Sequence, residues 1–441
     1  MTEMLKFRLN RLILYKFIWL VGLSVFFFAS YNFANWLSST RDDVGCLVFD
    51  WEVSIPLLPW SIVPYWSIDF MYGLAILLTN SRQSLKTLCL RLLSAQIICI
   101  ICFLSFPLKF SFERPALDGL SGWLFDVLMG FDKPFNQAPS LHITLLVILW
   151  AFYNNYLNSY CRYLLHIWCL LIGVSVLTTW QHHFFDIPTG LWVGCFCIWL
   201  WPANDSSPLK NCQLPKQYLW SYIYFVCCLL SFGLAIYIQT WGLWLLWLSG
   251  AFLLVSANYL LFGAKGFQKQ TNGHFNLAVT LLYFPYFIIM WINSRLWTYK
   301  CQAINHIYEN IYLGRIPSTN VLTHNKFITV IDLCAELPIG KFDGNYVLVP
   351  ILDMTPLTSH DCSKVATIIE HYQSKGKLLV DCALGYSRSA TAIIAWLLWT
   401  NQVNNVDDAI NMVKQSRQHI VISEQQRRIL INWFLQTQNR K

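Results

Sequence analysis

Residues 380–389 read VDCALGYSRS, and this stretch decides how the C-terminal part of the chain folds. The apolar run at 377–380 predicts a strand, and the apolar pattern at 390–398 predicts a helix. A strand, a tight loop and a helix N-terminus in this order form an anion cradle, because backbone N–H groups point inward and the helix dipole adds positive potential. The same field favours Cys382 as a thiolate, and the planar guanidinium of Arg388 can grip two phosphate oxygens.

The composition divides the chain near residue 300. Its 441 residues are 56% hydrophobic and only 12% charged, which is too apolar for a soluble protein. Residues 301–441 nevertheless hold 13 of the 31 basic and 11 of the 23 acidic residues. This distribution predicts a soluble domain that is C-terminal to a membrane domain. The formal net charge of +8 fits basic loops beside a bilayer better than a nucleic-acid surface, since no basic block with interleaved aromatics occurs.

Nine apolar stretches are candidates for membrane-spanning helices, each of which needs about 20 residues. They lie at roughly 12–30, 60–79, 88–106, 139–158, 163–180, 187–201, 217–237, 240–262 and 276–294. Basic and acidic loops alternate over the first six and predict a cytoplasmic N-terminus. The last three stretches do not decide on which side of the membrane the soluble domain lies. If all three cross, the domain is outside, and if one does not, it is inside.

From residue 302 the pattern predicts an α/β domain with a central, mostly parallel sheet. Strands are expected at 311–314, 327–333, 346–351 and 377–380. Helices are expected at 359–374, from the Cys382 loop to about 399, at 406–416 and at 423–436, with Ser359 as the N-cap of the first.

The Cys-x5-Arg-Ser loop resembles the signature of the protein tyrosine phosphatase superfamily, and residues 302–436 resemble its small dual-specificity branch. The resemblance implies that Cys382 attacks phosphorus and that Arg388 binds the phosphate. It also implies that Asp353, after a predicted strand, protonates the leaving oxygen and then activates water.

Two further loop residues follow from the same resemblance, which assigns Gly385 to phosphate binding and Ser389 to assisting the leaving thiolate. Asp381 stands where the family usually has histidine, and an acid beside the thiolate disfavours the charged sulfur unless its side chain points away. The loop interior has no lysine or arginine, which favours a single phosphate on a weakly anionic substrate.

Three polar clusters interrupt the apolar part, and all are predicted on its outer face. They read KFSFERP at 109–115, PSLH at 139–142 and QHHFFD at 181–186. Ionisable groups at the edge of a membrane are costly, so they are candidates for function. Asp186 follows His182 by one helical turn, so its carboxylate can fix the tautomer of the imidazole.

The order of these clusters resembles the type 2 phosphatidic acid phosphatase family, in its inositolphosphotransferase-like branch, which has six helices. The resemblance implies that His182 is a nucleophile forming a phosphohistidine, that Asp186 orients it, and that His142 is the acid for the leaving group. It assigns phosphate binding to three residues, namely Lys109, Arg114 and Ser140.

Three points in this part stay open. His183 could replace His182 as the nucleophile. Four residues separate the lysine and the arginine of the first cluster, where the family commonly has six, and Val176 stands where the family has an arginine.

The chain as a whole resembles bacterial inner-membrane proteins that join these two phosphatase types. The expected parts are a membrane domain at 1–204, a linker with additional transmembrane helices at 205–300, and a catalytic domain at 301–441. The expected function is a multi-pass inner-membrane phosphatase for phosphomonoesters, with lipid-linked ones favoured, that needs no metal, cofactor or nucleic acid. Three alternatives remain: transfer of a phospho-headgroup in the membrane domain, dephosphorylation of proteins in the soluble domain, or a non-catalytic scaffold in one of them.

Overall fold

The computed structural model describes residues 2–130, 132–203, 207–211 and 216–438, in two compact units. Unit 1 comprises residues 1–207 and unit 2 residues 208–441. The domain boundary predicted between residues 204 and 205 lies outside the described residues.

Unit 1 is built from seven α-helices in its described residues. They are α1 (Thr2–Ser39), α2 (Ile62–Leu78), α3 (Arg82–Ser105), α4 (Gly119–Met129), α5 (Leu141–Tyr156), α6 (Ser159–Thr178) and α7 (Asp186–Leu200). Six coincide with predicted apolar stretches, but α5 with 16 residues and α7 with 15 are shorter than the about 20 residues that a membrane span needs. The helix α4 was not predicted. It has only 11 residues, which is too short to cross a membrane, so its apolar pattern did not predict a membrane-spanning helix.

Two glycines let α7 pack closely on α5. A Cβ at Gly190 would lie 2.5 Å from the carbonyl oxygen of Ser140, and one at Gly194 would lie 2.7 Å from Cβ of Val147. Small residues at such crossings allow helix backbones to approach. The crossing brings the start of α5, with the predicted His142, to the start of α7, with Asp186.

Unit 2 opens with three apolar helices, α8 (Tyr218–Ile238), α9 (Leu245–Ala257) and α10 (Leu277–Trp297). A π-helical turn (Asn258–Phe262) and a 3-10 turn (Gly263–Phe267) continue α9. Within the described residues, seven helical segments are long and apolar enough to cross a membrane: Arg11–Ser39, Pro59–Leu78, Arg82–Ser105, Ser159–Thr178, Tyr218–Ile238, Thr240–Phe267 and Leu277–Trp297.

The rest of unit 2 is an α/β fold around a five-stranded mixed sheet with the order β1-β2-β5-β3-β4. The strands are β1 (Ile304–Tyr308), β2 (Ile311–Arg315), β3 (Thr329–Cys334), β4 (Asn345–Ile351) and β5 (Leu378–Cys382). The β1–β2 pair is antiparallel and the other pairs are parallel, so the predicted mostly parallel sheet is confirmed. The edge strand β1 was missed because its sequence INHIY alternates only weakly.

Five helices complete the domain: α11 (Thr319–Asn325), α12 (Ser359–Gln373), α13 (Arg388–Trp399), α14 (Val406–Ser416) and α15 (Glu424–Gln438). The short α11 was not predicted. The predicted N-cap of α12 was wrong by one residue. Thr358 is the cap, since its Oγ1 accepts from the N–H of Asp361 while the Asp361 carboxylate accepts from the N–H of Thr358.

The parallel strands β5, β3 and β4 lie side by side in the sheet and all end at the same edge. Polar residues that follow neighbouring parallel strands therefore meet there. The three residues concerned are Cys382, Glu336 and Asp353.

Candidate active sites

Cys382 ends β5, and its sulfur is surrounded by donors. The N–H of Gly385 and the hydroxyl of Ser389 each donate to Sγ over 3.2 Å. Gly385 has φ +73°, and a Cβ there would lie 2.5 Å from the carbonyl of Gly314, so this tight loop requires glycine. Because α13 begins at Arg388, its N-terminal end also faces the loop. This environment stabilises a negative charge at the sulfur.

Arg388 is held by a carboxylate that sequence reasoning did not identify. Its Nη1 and Nη2 donate to Glu336 Oε2 and Oε1 over 2.9 and 2.6 Å, and Nη1 also donates to the carbonyl of Ile351 over 2.7 Å. Burial alone would raise the pKa of Glu336, but the charge of Arg388 outweighs it and lowers that pKa. The paired carboxylate thus fixes the plane of the guanidinium. An acidic residue two positions beyond β3 is the signal that was available in the sequence.

Asp353 lies against the same arginine, just beyond the end of β4. Its Oδ1 is 3.0 Å from Arg388 Nη2. Burial raises the pKa of Asp353; Arg388 opposes this and the charge of Glu336 adds to it, with a raised value as the net result. A carboxyl group that keeps its proton to higher pH suits the acid role implied for Asp353.

Asp381 points away from the sulfur. Adjacent residues on a strand project to opposite faces of the sheet, so the Asp381 and Cys382 side chains diverge. Burial, and then the charge of Asp332, raise the pKa of Asp381 well above the usual range. Neither of its carboxylate oxygens has a hydrogen-bond partner among the described residues, which also fits a neutral acid. The effect of Asp381 on the thiolate that was expected from the sequence is therefore weakened, because the side chain points away and because its raised pKa favours the uncharged acid.

In unit 1, the predicted His182 and Asp186 are in contact. His182 Nδ1 lies 3.0 Å from Asp186 Oδ2, and both side chains are buried, with 7% and 2% exposed. The N–H of Ser140 donates to the carbonyl of Asp186 over 3.1 Å, while Ser140 Oγ caps α5. The imidazole of His142 stacks on Tyr65 at 4.1 Å and lies within electrostatic range of His182. Four of the predicted residues thus meet where α5 and α7 begin.

The two predicted basic residues of unit 1 differ in position. Arg114 Nη2 donates to the carbonyl of Trp180 over 2.9 Å, two residues before His182. The side chain of Lys109 is exposed, and its ammonium makes no hydrogen bond within the described part of the chain. Asp132, which was not predicted, lies near Arg114 and His182, and burial raises its pKa against the lowering effects of the hydrogen bond from Tyr31 and of these two neighbours.

His183 has a carboxylate partner of its own in Glu52. Its Nδ1 lies 3.0 Å from Glu52 Oε2, and its Nε2 lies 3.1 Å from Ser111 Oγ. Burial would raise the pKa of Glu52, but the hydrogen bond with His183 and those from two backbone N–H groups lower it overall. Both ring nitrogens of His183 are thus engaged in linking loops, whereas Nε2 of His182 makes no hydrogen bond among the described residues. The role predicted for His182 therefore fits these contacts better than it would fit His183.

The arrangement in unit 2 has counterparts in known proteins. A family model described as the catalytic domain of dual specificity phosphatases matches residues 311–436. A protein of Invertebrate iridescent virus 6 that is named as a tyrosine phosphatase (123R) is 31% identical over 118 residues, which cover 25% of this chain and 78% of the viral protein. Dual specificity protein phosphatase 18 of Bos taurus is 31% identical over 114 residues, which cover 24% of this chain and 60% of that protein.

Solved structures resemble about a third of the chain. The crystal structure of PTPMT1 in complex with PI(5)P has 20% identity and a TM-score of 0.29, and the match covers 32% of this chain and 99% of that one. Human DUSP28 has 17% identity and a TM-score of 0.29, with 31% and 99% covered. Through residues 311–436, the chain belongs to the dual specificity phosphatase family.

Proposed function

We propose that the protein is a multi-pass phosphatase of the inner membrane that hydrolyses phosphomonoesters at Cys382, and that its substrates are lipid-linked. The observation that carries the phosphatase reaction is the sulfur of Cys382, which accepts from Gly385 and Ser389 at the N-terminal end of α13. The seven apolar helical segments support the membrane location.

The reaction proceeds in two displacements. Sγ of Cys382 attacks phosphorus, the bond between phosphorus and the leaving oxygen breaks, and Asp353 transfers its proton to that oxygen. Water then attacks the cysteinyl phosphate, Asp353 takes up its proton, and the S–P bond breaks to release inorganic phosphate. Arg388 binds the phosphoryl oxygens throughout, and the hydroxyl of Ser389 stabilises the thiolate as it leaves.

The apolar helices of unit 2 support a substrate held in the bilayer. The hydroxyl of Ser294 in α10 donates to the carbonyl of Ala383 over 2.6 Å, and Tyr386 donates to the carbonyl of Trp297 over 2.9 Å. The Cys382 loop therefore lies directly at the end of a predicted spanning helix. A phosphate carried by a lipid is concentrated at that position relative to one in solution.

A second phosphoryl-transfer site at His182 is favoured by its contact with Asp186 and by the proximity of His142. In this proposal His182 Nε2 attacks phosphorus, the bond between phosphorus and the leaving oxygen breaks, and His142 gives its proton to that oxygen. In the second step an acceptor hydroxyl attacks the phosphohistidine, His142 takes up its proton, and the N–P bond breaks. The acceptor is water for a hydrolase and a lipid hydroxyl for a headgroup transferase.

Assays of the full chain in detergent test both sites. Cys382→Ser, His182→Ala and the double variant would be compared on phosphatidic acid, a phosphotyrosine peptide and a phosphoserine peptide. We expect Cys382→Ser to abolish phosphate release from at least one of them, and phosphatidic acid to be hydrolysed in preference to the peptides.

Each outcome assigns a function. Unchanged phosphate release in both single variants would overturn the two-site proposal, and loss in only one would identify the active unit. Preference for either peptide would favour a protein phosphatase. Appearance of the phosphate on an added acceptor lipid, dependent on His182, would favour a transferase.

A further inference from the structure

Each of the three loops that form the Cys382 site is held by residues from the apolar helical segment 218–300. The loops are the Cys382 loop itself, the turn that carries Glu336, and the loop that carries Asp353. The segment and the loops belong to one compact unit. The family match begins only at residue 311, so these contacts come from outside the matched catalytic domain.

Tyr259, in the π-helical turn after α9, holds the Asp353 loop. Its hydroxyl donates to the carbonyl of Asp353 over 3.0 Å, and its ring is buried and stacked on Tyr224 at 5.4 Å. Met354, which directly follows Asp353, has φ +55°, a left-handed backbone conformation that is unfavourable for residues other than glycine. A bond to the neighbouring carbonyl therefore helps to keep the loop in a conformation that the local sequence does not prefer.

Lys269, in the connection between α9 and α10, holds the turn that carries Glu336. Its Nζ donates to Asp332 Oδ2 over 2.6 Å, to the carbonyl of Cys334 over 2.8 Å and to the carbonyl of Leu337 over 2.5 Å. All three donors of the ammonium are thus used, and the side chain is 1% exposed. Burial lowers the pKa of Lys269, but the charge of Asp332 outweighs this and the pKa is raised, so the group stays charged.

The path from Lys269 to the phosphate-binding group is short. Two of its acceptors, Cys334 and Leu337, flank Glu336, whose carboxylate makes the bidentate contact with Arg388. A shift of this turn would tilt Glu336 and with it the guanidinium. The bidentate contact depends on the relative orientation of the carboxylate and the guanidinium. The position of this turn therefore affects how Arg388 binds phosphate.

We propose that segment 218–300 is a structural part of the phosphatase site, in which Tyr259 and Lys269 are positioning residues. Tyr259 acts through Asp353 on protonation of the leaving group, and Lys269 acts through Glu336 and Arg388 on phosphate binding. The helices of segment 218–300 then do not only hold the chain in the membrane. Contacts between the ends of these helices and the site loops also determine the geometry of the site. This inference rests on the proposed reaction at Cys382.

The first test uses Tyr259→Phe, which removes one hydroxyl and keeps the ring packing. The full chain in detergent is assayed on p-nitrophenyl phosphate, which has a good leaving group, and on phenyl phosphate, which has a poorer one. Turnover of phenyl phosphate should fall roughly fivefold, the effect of one hydrogen bond of ordinary strength, while turnover of p-nitrophenyl phosphate stays close to wild type.

The matched control for this variant is Tyr237→Phe, at a tyrosine in α8 that is 86% exposed. It should leave both rates unchanged. An equal loss on both substrates in Tyr259→Phe would indicate only structural damage and would overturn the positioning role, as would no loss on either.

The second test uses Lys269→Met with Lys265→Met as its control, because Lys265 is exposed in the preceding turn. Inhibition by vanadate, a phosphate analogue, should weaken about tenfold in Lys269→Met, with a raised KM for p-nitrophenyl phosphate. Unchanged vanadate inhibition in a folded Lys269→Met variant would overturn its role.

Failure of the inference can be told apart from failure of the proposed function. In a His182→Ala background, Cys382→Ser must abolish turnover of both aryl phosphates, and if it does not, the reaction itself is misassigned. If Lys269→Met does not fold, the leaving-group ratio in Tyr259→Phe decides alone. Melting temperatures of all variants are measured first, and assays are run well below them.

Discussion

The candidate sites of units 1 and 2 are ordered around different groups. In unit 2 the cation is fixed most firmly, because both Nη groups of Arg388 donate to Glu336 and Nη1 also donates to a backbone carbonyl. In unit 1 the histidine is fixed most firmly, because His182 has the buried carboxylate of Asp186 on one ring nitrogen. The predicted cation Arg114 donates to a backbone carbonyl and makes no ion pair among the described residues.

This difference fits the two nucleophiles that are proposed, Cys382 and His182. A thiolate needs no general base once it is ionised, so the surrounding structure can be used to hold the phosphate. An imidazole must direct one unprotonated ring nitrogen at the phosphorus, so its main requirement is a carboxylate that binds the other nitrogen and selects the tautomer. The following variants test this contrast.

The largest effect is expected at Asp353. Asp353→Asn removes the leaving-group acid and should lower kcat/KM for phenyl phosphate by about 10²–10⁴-fold, and that for p-nitrophenyl phosphate by much less. Since the acid must be protonated, wild-type activity should fall as pH rises through its raised pKa. A pH–rate profile of Asp353→Asn should lack this fall, and its persistence would assign the acid to another residue.

Arg388→Lys should cost about 10²–10³-fold in kcat/KM for p-nitrophenyl phosphate, because an ammonium cannot keep the two parallel bonds to Glu336 and bind phosphate in the same plane. Arg114→Lys, assayed on phosphatidic acid in the Cys382→Ser background, should cost less. If the two losses were equal, the contrast in how the sites hold their cations would be wrong.

In unit 1, the two histidine–carboxylate pairs can be compared directly. Asp186→Asn, assayed in the Cys382→Ser background, should lower phosphatidic acid hydrolysis on the order of 10²-fold, because the amide favours the wrong tautomer of His182. Glu52→Gln should act mainly on thermal stability, since Glu52 holds loops through His183. The reverse order of the two activity losses would make His183 the nucleophile.

Of the variants at Asp353, Arg388 and Glu336, Glu336→Gln is expected to have the smallest effect, about tenfold in kcat/KM. The charge of Glu336 raises the pKa of Asp353, so its removal should lower that pKa and shift the alkaline fall of activity to lower pH. The measurement is the pH–rate profile with phenyl phosphate. An unshifted profile would show that Glu336 acts on Arg388 alone.

The sequence was sufficient wherever the information lies in consecutive residues. The loop from Cys382 to Ser389 could be identified because strand, loop and helix follow one another without interruption. The apolar helices could be identified from their length and composition. The pair His182 and Asp186 could be identified from its spacing of four residues, although residues 181–185 form a turn before α7 and not the helical turn that was expected.

Only the tertiary structure could show which distant groups complete the sites. Glu336 lies 52 residues from Arg388, Tyr259 lies 94 residues from Asp353, and Glu52 lies 131 residues from His183. No local periodicity connects such pairs, because they meet only when parallel strands align at one edge or when helices pack. The same reason explains Asp381, whose identity was plain in the sequence but whose direction depends on the strand and on the burial around it.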